Sequence, residues 1–91
     1  MRIAFEDECT MARAEEIHRT LKEALESAEP LDLDFSGATR IDLAFCQILH
    51  ALRASCRAKG LACTAQPGAR PEVATVLAWC GLSDFARESA S

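Results

Sequence analysis

Leu31-Asp32-Leu33-Asp34-Phe35 alternates apolar and acidic residues without interruption. Successive side chains of a strand point to opposite faces, so Leu31, Leu33 and Phe35 share one side and the two aspartates share the other. One face must be covered and the other must stay wet. Pro30 precedes the segment, and Ser36-Gly37 is expected to break it before Ala38 to Ile41 carries the chain onward. On both sides of this strand the apolar period changes from two to three and four. Met11, Ala14, Ile17, Leu21, Ala24, Leu25 and Ala28 form one face of a predicted helix, with Thr10 as a candidate cap and Pro30 as its end. The opposite face carries Arg13, Glu16, Arg19, Lys22, Glu23 and Glu26 and reads as solvated; Glu15 and Arg19 stand at the favourable i,i+4 spacing.

After the strand, Asp42 stands where a helix N-cap belongs. Ala44, Phe45, Ile48, Leu49, Leu52 and Cys56 follow at helical spacing. Arg53, Arg57 and Lys59 lie in the last turns, where cations suit the helix dipole, and Gly60 supplies a stop. Arg2 to Phe5 reads as a short strand with Ile3 and Phe5 on one face, and Leu61 to Ala65 as another. Gln66 to Arg70 is a loop. Pro71 opens a third helix at its first position, with Glu72 in the first turn. Val73, Val76, Leu77 and Cys80 form its stripe, Gly81 stops it, and Leu82 and Phe85 fold back on the core. The order is β-α-β-α-β-α. Strands alternating with helices predict an α/β fold, a mostly parallel sheet of about four strands with helices mainly on one face. Residues 1–86 are expected to form one domain and 87–91 a frayed tail.

Composition removes several classes of function. The chain has 91 residues and is 49% apolar, as a globular chain is. Its net charge of -4, with both signs interspersed, lacks the basic stripe of a nucleic-acid binder. No apolar run approaches the roughly 20 residues of a membrane span. The opening Met1-Arg2-Ile3-Ala4-Phe5-Glu6-Asp7-Glu8 turns acidic at once, unlike a signal peptide, so a cytoplasmic protein is expected. The five cysteines (Cys9, Cys46, Cys56, Cys63 and Cys80) are odd in number and form no C-x-x-C pair, so they are read as reduced, mostly buried side chains. Asp32 and Asp34 lack a third ligand for a metal. There is no G-x-x-x-x-G-K-[ST] loop, no G-x-S-x-G and no Cys/His nucleophile set, so neither catalysis nor a cofactor is expected.

The stretch from Leu33 to Leu49, Leu-Asp-Phe-Ser-Gly-Ala-Thr-Arg-Ile-Asp-Leu-Ala-Phe-Cys-Gln-Ile-Leu, resembles the centre of a STAS domain, the bacterial anti-anti-sigma factor domain also found in sulfate transporters. That family shows an apolar strand ending in Asp, a small turn, and Asp-Ser-Ser-Gly-Leu or a close variant opening a helix. Arg57-Ala58-Lys59-Gly60 is similar to the family's basic end of that helix. Glu6 to Leu25 is similar to its first strand and helix, and Trp79-Cys80-Gly81-Leu82 to its closing piece. The departures are informative. Many members are switched by phosphorylation at the hydroxyl residue after the Asp; here that position is Leu43, and Ala44 and Phe45 replace the usual small residue and Gly. The chain is also short for the family's N-terminal hairpin. The resemblance implies a divergent compact member without the phosphoacceptor.

On this reading the partner-binding residues are Asp42, Leu43, Ala44, Phe45 and Gln47. Asp42 serves as a cap or contacts the partner. Leu43 is either an exposed anchor or core, and Phe45 belongs with the core if its ring is buried. Ser36 and Thr39 are the nearest hydroxyls, both typical of turns. His50 is read as a surface or boundary residue, and Trp79 as packing or, if exposed, a second anchor. The expected partner is a regulatory protein (a kinase or anti-sigma-like factor) or, alternatively, a lipid or anion transport ATPase. Neither nucleic acid nor membrane insertion is expected.

Overall fold

In a computed structural model, which describes residues 1–86, β1 spans Arg2–Cys9 and leads through a 3-10 turn at Met11–Arg13 into α1, Ala14–Glu26. Then come β2 (Leu31–Ile41), α2 (Leu43–Lys59), β3 (Cys63–Ala65), α3 (Pro71–Trp79) and a second 3-10 turn at Ser83–Phe85. The expected tail at 87–91 lies outside the described residues.

The described residues form an α/β fold with the predicted β-α-β-α-β-α order. The sheet has three strands in the order β1-β2-β3, not about four, and both pairings are parallel. Each strand is joined to the next by a crossover that contains a helix, and such a connection returns the chain to the same end of the sheet. The buried residues of β1 and β2 (Ile3, Phe5, Leu31, Leu33, Phe35) lie on the face the helices cover.

Both β1 and β2 are longer than expected. β1 continues through Glu6-Asp7-Glu8 to Cys9, and β2 runs through Ser36-Gly37 to Ile41. The register explains how. Ala4 pairs with Asp34 but Glu6 with Gly37, and Asp7 pairs with Ala38 but Glu8 with Arg40, so β2 carries an extra residue at each of two bulges. Each bulge resets the alternation, and the buried positions after Phe35 become Ala38 and Ile41. Gly37 is not a breaker. A Cβ there would stand 3.1 Å from Glu6 Cγ and 3.2 Å from the Phe5 carbonyl oxygen, so glycine admits the neighbouring strand. Asp7 adopts a left-handed φ of 58° opposite the second bulge, a conformation that Asp tolerates better than most residues.

Phe35 is the hub of the core. Its ring stacks on Phe5 at 5.1 Å, meets Phe45 edge-on at 6.3 Å and lies 6.2 Å from Phe85. Ile17 and Leu21 from α1, Leu49 and Leu52 from α2, and Val73 and Leu77 from α3 fill the space around this cluster. Arg53 closes it from outside, its guanidinium 4.4 Å above the Phe85 ring and paired with Asp84. Cys9, Cys46 and Cys56 are buried. Burial, with Cys80 beside it, pushes the Cys46 thiol up to about 12, so it is protonated and inert at neutral pH.

The opposite face of the sheet is polar. Gln66 donates to Asp32, and Arg2 donates to Asp34 Oδ2 at 2.6 Å. Asp34 Oδ1 accepts from the Ser36 amide and hydroxyl at 3.0 and 2.7 Å. These donors, Arg2 first, hold the Asp34 carboxyl at about 2 instead of the ordinary 3.8. A depressed carboxyl contributes stability that is complete above its unfolded value and is lost as protons bind the folded state. The contribution should therefore be full above pH 3.8 and disappear as the pH falls towards 2. In urea titrations across that window, Arg2→Gln should lower the midpoint at pH 7 and converge on the parent near pH 2; a constant difference would show that the pairing does not set the titration.

Candidate partner-binding corner

β1 and β2 run parallel and end at the same edge of the sheet, where each passes into a helical segment. Asp42 joins the two. One carboxylate oxygen accepts from the Phe45 amide at 3.0 Å, capping α2, and the other accepts from the Met11 amide at 2.9 Å, at the start of the first 3-10 turn. Thr10, the candidate cap from sequence, makes no capping bond with its side chain. The position it leaves is held from across the fold by Asp42.

This double hold fixes Met11 and Leu43 beside the same carboxylate, and both are exposed: 71% and 57% of their surface reaches solvent. Met11 does not join the apolar face of the first helix as its spacing suggested. That helix begins only at Ala14, and residue 11 falls in the preceding turn, which turns it outward. Ala28 likewise lies beyond the end of α1, in a left-handed conformation with φ 56°.

Of the residues expected to bind a partner, Leu43 and Gln47 are exposed, and Asp42 and Ala44 are half-buried. Phe45 is a correction. Its ring is only 1% exposed and packs edge-on against Phe5 at 5.2 Å, so it braces the corner from inside and touches nothing outside. Behind Leu43, the first three turns of α2 present Gln47, His50, Ala51 and Ala54 to solvent, with neither a carboxylate nor a Lys or Arg among them. His50 donates from Nε2 to the Cys80 carbonyl at 2.7 Å and so ties the end of α3 to α2. The residue before Cys80 is Trp79, a large apolar side chain that is 81% exposed. Its exposure could not be read from sequence, because a Trp at the end of a short apolar helix reads equally well as packing.

A family model described as Mlab, STAS domain, matches residues 1–87. The chain belongs to the STAS family. No curated protein matches it. In this STAS domain Leu43, directly after the capping Asp, has no hydroxyl to modify. The Ser36 hydroxyl is engaged with Asp34, while Thr39 is exposed at the far end of β2. No helix of the described residues is long and apolar enough to cross a membrane. Among the described residues no three His, Cys, Asp or Glu side chains gather in a way that could hold a metal ion. Asp32 and Asp34 are instead occupied by Gln66, Arg2 and Ser36.

Proposed function

We propose that this STAS domain is a non-catalytic docking module of a bacterial regulatory system, cytoplasmic, of the anti-anti-sigma-like or chemotaxis and kinase-associated kind. Its contact surface is the corner around Asp42, Leu43, Ala44 and Gln47, widened by Met11 and Trp79. The observation that supports this best is the open side chain of Leu43, held at the start of α2 ahead of the exposed and uncharged Gln47, His50, Ala51 and Ala54. Aromatic and aliphatic anchors that become fully desolvated dominate the energy of most protein interfaces. An aliphatic residue at this position makes docking constitutive: no charge can be added there to break the interface. The alternative partner, a lipid or anion transport ATPase with this chain as accessory subunit, uses the same corner and differs only in what meets it.

Affinity purification of the tagged chain from its native cells, followed by mass spectrometry, names the partner and separates the two possibilities. Titration of that purified partner then tests the corner. Leu43→Asp should weaken binding at least about tenfold, the cost of placing a charge in a desolvated contact, with the melting midpoint unchanged. Undiminished affinity would remove Leu43 from the interface.

A further inference from the structure

A groove runs between α1 and α2, on the helical layer. It comprises two adjoining hollows of about 580 and 210 Å³ that share His18, Lys22 and Ile48. Its floor is apolar, built from Ile48, Leu25 and Ala51, the first two only half-buried. Its α1 wall carries His18, Arg19 and Lys22. A basic wall is unexpected here, because the chain has 14 acidic residues against 10 Lys and Arg.

The charge on α1 is partly sorted by side. Glu16 and Glu23 line hollows along β1, while Arg19 and Lys22 border the groove with Glu15 as its one carboxylate; Arg19 also lines a hollow beside Met11 with Glu15 and Glu16. Among the described residues the ion pairs are Arg2–Asp34, Arg13–Glu16 and Arg53–Asp84, so neither Arg19 nor Lys22 is engaged in one. The apolar floor asks for apolar side chains at helical spacing, and the wall asks for carboxylates beside them. From Ala14 to Leu25 the groove extends for about 16 Å at 1.5 Å per residue, the length of three helical turns.

We propose that this groove binds an acidic amphipathic helix of a partner protein, with its apolar face on Ile48, Leu25 and Ala51 and its carboxylates against Arg19 and Lys22. The site adjoins the face behind Leu43 through Ala51 but shares none of the contact residues proposed for the corner.

The test uses two fluorescein-labelled helical peptides of about three to four turns. Both carry Leu at i, i+3, i+4 and i+7; one has Glu on the flanking positions and the other Lys. Titrated by anisotropy into the full chain, the Glu peptide should bind saturably and at least tenfold more tightly than the Lys peptide. The double variant Arg19→Glu/Lys22→Glu, both surface changes, should reverse that order. Leu43→Asp should leave it intact, which separates a failure here from a failure of the corner. Equal binding of the two peptides, no binding of either, or a preference that survives charge reversal would overturn the proposal. So would a dimer in sedimentation that Ile48→Glu dissolves, since a second copy would then fill the groove.

Discussion

Phe35→Ala should lower the free energy of unfolding by about 3–5 kcal/mol, the range for truncating a buried aromatic ring. A chain of this size has only about 5–14 kcal/mol in total, so the variant should be partly unfolded at 37 °C. The size of the effect follows from the position of the ring. Phe35 is 0% exposed and contacts Phe5, Phe45 and Phe85, which come from β1, α2 and the last 3-10 turn. Removing it opens a void bounded by three rings that cannot all move inward at once, because each is fixed to a different element. Urea titration followed by far-UV circular dichroism gives the number. A loss below about 1.5 kcal/mol, the level of a volume-conserving swap, would mean that these rings do not form one packed cluster.

Asp42→Ala should cost about 2–3 kcal/mol, more than the roughly 1 kcal/mol of a typical N-cap. The excess arises because two amides lose their acceptor together, Phe45 N at 3.0 Å and Met11 N at 2.9 Å, and bonds to a charged acceptor are the stronger kind. Asp42→Asn separates the two. Its single carbonyl oxygen can still cap α2, but its amide nitrogen cannot accept from Met11, so it should recover only part of the loss. Thermal melts report the difference as a fall of roughly 8–24 °C for Ala, at 4–8 °C per kcal/mol in a domain of this length. If Asn matches the parent, the bond to Met11 contributes nothing; if it matches Ala, the retained cap on Phe45 contributes nothing.

The elements that sequence made legible are those whose rules are local. The period of Ile17, Leu21 and Ala24, the alternation of Leu31 to Phe35, the cap at Asp42 and the stop at Gly60 each follow from a few neighbouring residues. What was not legible depends on residues far apart in the chain. Whether Ser36-Gly37 ends a strand is decided by Glu6 and Phe5, some thirty positions earlier, which need glycine's missing side chain in order to approach. Met11 fits a helical period on paper, but its amide is claimed by Asp42 and the helix starts later. Which side chains near the corner face solvent was not legible either: Phe45 turns inward, and Met11 and Trp79 turn outward. The groove between α1 and α2 was hidden for the same reason, since the face carrying Arg19 and Lys22 gains a floor only when α2 lies alongside.

The sheet has two free margins, and each is blunted differently. β3 is three residues long and offers little backbone to a stranger. β1 is eight residues long, but the Arg13 guanidinium donates to two of its carbonyls, Glu6 O at 2.7 Å and Glu8 O at 3.1 Å. An unprotected row of that length would recruit further chains into a growing ribbon. By holding these two acceptors, Arg13 leaves fewer of them open to a foreign strand along this margin.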